Sequence, residues 1–181
     1  RDEALPLSFA QQRMWFLSQL EPGQALYNIP LALRLSGPLD VEVLRRTFAE
    51  LVRRHEPLRT TFEEHEGQPL QRIHAPPFDW FLPVETLPEG AVRDVILMRR
   101  MRLDATQPFD LRTGPLLRTR LLRLSPDEHV LLLCMHHIVT DGWSMGVLVH
   151  EVGSLYPALA AGRPSPLPAL EVQAADIAAW Q

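Results

Sequence analysis

Met135-His-His-Ile-Val-Thr-Asp-Gly-Trp-Ser144 gathers most of the side chains in this chain whose types and spacing can do chemistry. Imidazole titrates near neutral pH, so a histidine held beside a carboxylate can serve as a general acid or base. His137 and Asp141 stand four residues apart. Gly142 follows, a residue that frees the backbone for a tight conformation or a close approach to a ligand. The combination offers a titratable imidazole, a buried charge and an exposed backbone amide. Adjacent residues on an extended strand point to opposite faces, so His136 and His137 cannot both address one substrate. One faces a cleft and the other faces the core. Two other chemistries use the same residue types. Imidazole and carboxylate both bind metals, but adjacent histidines diverge and no third ligand is evident. Ser144 completes a conceivable Ser-His-Asp set, without the Gly-x-Ser-x-Gly turn that presents such a serine in many hydrolases. Outside this stretch, His74, His129 and His150 read as core residues with satisfied ring nitrogens.

The elements around the stretch must position it. Within a predicted strand over 130–136, Leu131-Leu-Leu-Cys-Met135 is apolar on both parities, which marks a strand buried on both faces in the middle of a sheet covered by helices. The histidine pair stands at its carboxyl end, where ligands bind in α/β sheets. Ser8 with Gln11 three residues on forms a capping box and predicts a helix over 9–20. Asp40 caps a second helix, in which Val41, Leu44, Phe48, Leu51 and Val52 keep helical spacing. Strands are predicted over 29–35, 116–124 and 130–136, a hairpin from 58–64 and 70–74, and helices over 92–103 and 143–161. Pro76-Pro77 forces a loop, and 163–168 forms a proline-rich connector. The architecture is α/β, and the prior for 181 residues is one domain.

Composition removes several classes. The net charge is −4, the wrong sign for a protein that grips phosphate backbones through clustered cations, so no nucleic acid partner is expected. All 18 basic residues are arginine, which excludes a Schiff-base lysine and a phosphate-loop lysine. The 17 prolines fall mostly between apolar segments, as loop punctuation. Cys134 stands alone in an apolar run, so it reads as a small core side chain in a chain with no disulfide framework. No apolar stretch is long enough for a membrane span and no signal-peptide pattern opens the chain, so the expected location is cytoplasmic, away from the membrane. The chain opens without methionine and stops straight after a helical-looking segment, so both ends read as cut from something longer.

His136-His-Ile-Val-Thr-Asp-Gly142 resembles the HHxxxDG motif of nonribosomal peptide synthetase condensation domains and of chloramphenicol acetyltransferase-like acyltransferases. Two further stretches narrow the resemblance to condensation domains. Ser8-Phe-Ala-Gln-Gln-Arg-Met-Trp-Phe-Leu17 is similar to their opening motif, and Arg54-His-Glu-Pro-Leu-Arg-Thr-Thr-Phe62 to their second. Tyr27-Asn-Ile-Pro30 and Phe109-Asp-Leu-Arg-Thr-Gly-Pro115 are also typical phrases, the former hinting at an L-configured donor.

The resemblance implies a chloramphenicol acetyltransferase-like lobe, a central mixed sheet covered by helices. It implies amide-bond formation between a donor acyl or peptidyl thioester and an acceptor aminoacyl thioester. Both substrates ride on phosphopantetheine arms of carrier proteins, so no cofactor is bound directly. On this likeness His137 projects into the tunnel where the arms meet, as general base or as the group that holds the attacking amine. Asp141 points away from substrate and pairs with Arg59 as scaffold, His136 makes structural hydrogen bonds, and the Gly142 amide is an oxyanion donor. Trp143 and Ser144 are expected to pack or cap the following helix. A complete condensation domain is more than twice this long, so residues 1–181 correspond to its amino-terminal lobe, without the carboxyl-terminal lobe. The implied partners are donor and acceptor peptidyl carrier proteins, that second lobe and neighbouring synthetase domains. The isolated lobe is expected to be inactive or weakly active and to expose an apolar face. Two alternatives stand beside this reading. One is a coenzyme A-dependent acyltransferase of the same superfamily, and the other is a non-catalytic condensation-like domain that recruits a partner.

Overall fold

The computed structural model describes residues 3–181. A two-residue strand β1 (Leu5–Pro6) leads into helix α1 (Phe9–Leu20), strand β2 (Asn28–Ser36) and helix α2 (Val41–Arg54). A single 3-10 turn, Glu56–Arg59, precedes the hairpin β3 (Thr60–His65) and β4 (Gln68–Ile73). Then come β5 (Val84–Thr86), α3 (Val92–Thr106), β6 (Leu117–Ser125), β7 (Glu128–His136), α4 (Gly142–Ala160) and α5 (Ala174–Trp180).

Local sequence signals account for most of these bounds. Ser8 accepts from the Gln11 amide while the Gln11 side chain accepts from the Ser8 amide, the reciprocal box that starts α1. Asp40 accepts from the Val43 amide at the start of α2. The hairpin turns at Glu66 (φ 51°) and Gly67 (φ 78°), two consecutive left-handed residues whose twist suits a two-residue connection. The β6–β7 turn is tighter than the predicted strand bounds of 116–124 and 130–136 leave it. Ser125 already pairs with Glu128, so β7 begins two residues before the predicted 130.

Two sheets result. A three-stranded sheet in the order β1-β4-β3 is antiparallel throughout. The larger sheet runs β2-β7-β6-β5, antiparallel except for β5, which lies parallel to β6 and makes the sheet mixed. Strand β7 occupies the interior, and eight of its nine residues are buried. Its odd-numbered Leu131, Leu133 and Met135 meet Leu44, Phe48 and Leu51 of α2 and Met145, Leu148 and Leu155 of α4. Its even-numbered Val130 and Leu132 meet Leu122, Leu124 and the α3 side chains Ile96, Leu97 and Met101. The central mixed sheet covered by helices is the expected α/β arrangement. A third cluster, built on Trp15, Phe62, Leu116 and Ile138, ties α1 and the small sheet to the segment leaving β7. Cys134 is buried, and burial pushes its thiol pKa up.

Candidate active site

The chain leaves β7 at His136 and re-enters regular structure at Gly142, so the histidine pair, Thr140 and Asp141 all lie on one short connection. Both ends and the middle of this connection are anchored. Met135 is 1% exposed in the main core, and Ile138 is 4% exposed among Trp15, Phe62 and Leu116. The His137 amide donates to the Tyr27 carbonyl at 2.8 Å, extending the β2–β7 ladder one residue beyond the strand.

The two histidines diverge as the strand parity requires. His137 is exposed, and its Nδ1 lies 2.7 Å from the Thr140 carbonyl. A carbonyl can only accept, so that nitrogen carries the proton and Nε2 is left as a hydrogen-bond acceptor. A cleft of about 440 Å³ contains His137 together with Ser8, Gln11 and Met14 of the α1 region, Pro57 and Ala174. His136 is buried, with Nδ1 accepting from the Ile138 amide at 3.1 Å. Its ring lies edge-on to Tyr27 and Phe109, each with centroids 6.2 Å away.

Phe109 is itself clamped. The Arg118 guanidinium lies 3.7 Å above its ring and donates to the carbonyls of Asp104, Gln107 and Pro108. Asn28 donates to the carbonyls of Ala105 and Gln107. Residues from the two strands flanking β7 therefore hold the end of α3 against the His136 side of the site.

Burial, reinforced by the neighbouring His137, lowers the His136 pKa from an ordinary 6.5 to about 4, so the ring is neutral at pH 7. The unfolded chain binds this proton more readily between those values. The resulting stability is fully present above pH 6.5 and is lost as the pH falls toward 4. The shift corresponds to about 3 kcal/mol at the acid end. Burial lowers the His129 pKa as well, so it acts in the same direction. Urea unfolding at pH 7, 5.5 and 4 is expected to show this loss. His136→Asn keeps an acceptor for the Ile138 amide without titrating and should flatten the profile, and an equally steep profile would rule His136 out as its source.

The structure corrects several expectations. Asp141 and Arg59 are not paired. The Asp141 carboxylate is exposed and caps α4, accepting from the Ser144 amide at 2.8 Å and the Ser144 hydroxyl at 2.7 Å. The Ser144 side-chain and main-chain hydrogen bonds hold the Asp141 carboxyl below its usual range. Arg59 instead donates to the His74 carbonyl and lies 3.8 Å from Glu56. Local cap geometry wins because two donors one turn away satisfy the carboxylate without bringing a long side chain across. The same bond takes the Ser144 hydroxyl away from either histidine, so no Ser-His-Asp set is assembled. Trp143 is 83% exposed and does not pack on its helix. His150 and His74 are exposed, and His129 is buried with its Nδ1 unpartnered.

Gly142 is the first residue of α4, where an amide has no intrahelical acceptor. A side chain there would meet nothing within 4 Å, and its φ is not in the left-handed region. The chain's own fold thus does not demand glycine at this position. Among the described residues no three His, Cys, Asp or Glu side chains gather to hold a metal, and no helix is long and apolar enough to cross a membrane.

Tyr27, Asn28, Phe109 and Thr140 lie inside the quoted motifs without an individual role there, and Arg118 lies outside all of them. Tyr27 and Thr140 act through main-chain carbonyls, which leave no trace in residue type. Arg118 is a charged residue within a predicted strand, the one local hint that it has partners of its own. Equally unmarked is Glu151, 5% exposed on α4, which joins Arg54 at 3.0 Å and His55 at 2.5 Å at the end of α2.

Comparison with known proteins sets this geometry in a family. The family model described as Condensation domain matches residues 1–181. The chain is 50% identical to part of a linear gramicidin synthase polypeptide of Brevibacillus parabrevis, over all of this chain and 2% of that protein. It is 48% identical to part of chondramide synthase cmdD of Chondromyces crocatus, over 99% of this chain and 5% of that protein. Among solved structures it resembles the first condensation domain of the CDA synthetase, with 27% identity and a TM-score of 0.88, covering 99% of this chain and 46% of that one. It also resembles the X-domain from teicoplanin biosynthesis, with 34% identity and a TM-score of 0.88, covering 99% and 38%. The chain therefore spans less than half of either solved chain and a few per cent of the synthetases.

Proposed function

The chain belongs to the condensation-domain family, and from that membership we propose that it is the amino-terminal lobe of a nonribosomal peptide synthetase condensation domain. In this reading it joins a donor acyl or peptidyl thioester to an acceptor aminoacyl thioester, both delivered on phosphopantetheine arms by carrier proteins. The observation that carries the reading is His137, held by the Thr140 carbonyl with Nε2 free as an acceptor beside an open cleft.

The reaction asks the protein to relay one proton and does not require it to deprotonate an ammonium group first. An α-amine has a pKa near 7.7–8.0, so a usable fraction is neutral at pH 7. His137 Nε2 accepts a hydrogen bond from that amine and aims its lone pair at the donor carbonyl. The C–N bond forms, the thioester C–S bond breaks, and the sulfur leaves on the donor arm. The proton released by the amine passes to Nε2 and then to the departing thiolate, so atoms and charge balance. Orienting two tethered reactants is worth up to about 7–11 kcal/mol, which makes positioning the larger contribution. The Gly142 amide, at the positive end of α4, is the donor assigned to the developing oxyanion.

Support for a second lobe comes from apolar side chains on the elements that line the cleft. Phe9, Trp143, Ile177 and Trp180 are each more than half exposed. The test is dipeptide formation from loaded donor and acceptor carrier proteins, comparing this lobe alone with the lobe joined to a carboxyl-terminal lobe. Product only from the joined pair is the expected result. Acetyl transfer from coenzyme A without carrier-dependent condensation would overturn the proposal in favour of a free-standing acyltransferase.

A further inference from the structure

Beside the His137 cleft lies a smaller cavity of about 140 Å³. The two share Pro57, Val139, Thr140 and Ser144 in their walls, so they are contiguous around the residue whose carbonyl holds His137. The rest of the small cavity is mostly apolar, formed by Leu58, Met135, Val147 and Leu148.

Its polar neighbours are already partnered inside the chain. His55 Nε2 meets Glu151 at 2.5 Å, the Ser144 hydroxyl donates to Asp141 at 2.7 Å, and the Thr140 hydroxyl donates to the Asp141 carbonyl at 3.4 Å. These groups keep acceptor lone pairs, but the other side chains of the wall, Pro57, Leu58, Met135, Val139, Val147 and Leu148, are apolar and offer a water nothing. The occupant that fits is apolar. An apolar cavity of roughly 150 Å³ admits benzene, so a branched side chain of three or four carbons is within the size limit.

We propose that this cavity receives the aliphatic side chain of the acceptor amino acid, of valine, leucine or isoleucine size. The assignment rests on the functional reading above, in which His137 holds the acceptor amine. The acceptor side chain begins on the carbon bonded to that amine. The donor side chain is separated from it by the reacting carbonyl as well, and the cavity shares Pro57, Val139, Thr140 and Ser144 with the cleft that holds His137, so of the two side chains the acceptor's is the one assigned to it.

The experiment uses the complete condensation domain that contains this segment, with glycyl, alanyl, valyl, leucyl and phenylalanyl acceptor carriers against one donor. Valyl and leucyl acceptors are expected to exceed glycyl by about tenfold or more in kcat/KM, the discrimination that filling an apolar pocket provides. Val147→Phe fills the cavity and should collapse the leucyl-to-glycyl ratio at least tenfold. Val147→Ala should shift preference toward phenylalanyl, whereas loss of fold would lower all acceptors together and leave the ratios in place. A flat acceptor series, or the same dependence on donor side chains instead, would overturn the assignment.

A binding measurement separates this result from the functional reading. With methyl-labelled protein, L-leucinamide is expected to shift the Met135 and Val147 methyl signals saturably where glycinamide does not. If no carrier pair yields product but leucinamide still binds there, the functional reading fails and the acceptor assignment falls with it, leaving a cavity that binds aliphatic side chains. If leucinamide leaves those methyl signals where glycinamide leaves them, the cavity assignment fails whatever the activity.

Discussion

Alanine at position 137 is expected to cut the condensation rate of the complete domain by between about a hundredfold and ten-thousandfold, with little change in KM. Among the described residues no other group on this connection duplicates what is lost. Nδ1 is committed to the Thr140 carbonyl, so the ring presents Nε2 in one tautomer and one orientation, while the adjacent His136 faces the opposite side of the strand. In the proposed reaction the substrates are held through their carrier arms, so removing the imidazole should take away alignment of the amine and leave binding in place. His136→Asn measured beside it at pH 7 should keep most of the rate, because that ring is neutral and buried in the wild-type lobe. A His137→Ala enzyme within a few-fold of wild type would remove His137 from the reaction.

Glu151→Ala should cost about 3–5 kcal/mol of folding stability, the loss that follows when one partner of a buried ion pair is deleted. The Glu151 side chain is 7% exposed and that of Arg54 10%, so the guanidinium left behind cannot be rehydrated without opening the α2–α4 contact. The damage spreads along a chain of bonds. Arg54 also donates to the Pro168 carbonyl, and Gln173 bridges the Arg54 carbonyl and the Glu56 amide just ahead of α5. The connector that carries Ala174 to the cleft thus depends on the same carboxylate. Glu151→Gln retains an acceptor and should lose less. Replacing Arg54 and Glu151 together by apolar residues should recover much of the loss, since neither charge is then stranded. Urea midpoints for the three variants decide the matter, and a loss below about 1 kcal/mol for Glu151→Ala would show that the pair is solvated.

The elements legible in the sequence are those announced by local signals. The Ser8 capping box, the Asp40 cap with its apolar stripe and the double-sided apolar run of β7 each state their element within a few residues. Strands β1 and β5 are two and three residues long, too short for any periodicity to register. For the same reason Trp80 and Leu82, both buried against the main core just ahead of β5, stand in a stretch with no pattern to announce their burial.

At the site, the placement of His136 and His137 on opposite sides follows from strand parity. The partner of Asp141 does not. An aspartate directly before an apolar helix is a local cap signal. The pairing with Arg59 rests on motif order, which says nothing about which side chains meet. The bonds that orient His137 use main-chain carbonyls of Tyr27 and Thr140, atoms every residue type supplies.

Strand β7 is covered on both sides by different helices, and the two histidines inherit that division. Side chains one residue apart answer to unrelated neighbourhoods. Changes in the packing under α3 should reach His137 through the backbone and the His136 ring, whereas changes in α4 reach the walls of the cleft and its adjoining cavity at Ser144, Val147 and Leu148. The strand works as a partition between the layer that holds His136 and the layer that holds His137. Variation among synthetase modules should therefore be sorted by the parity of the β7 residue it touches before it is sorted by distance from the histidine.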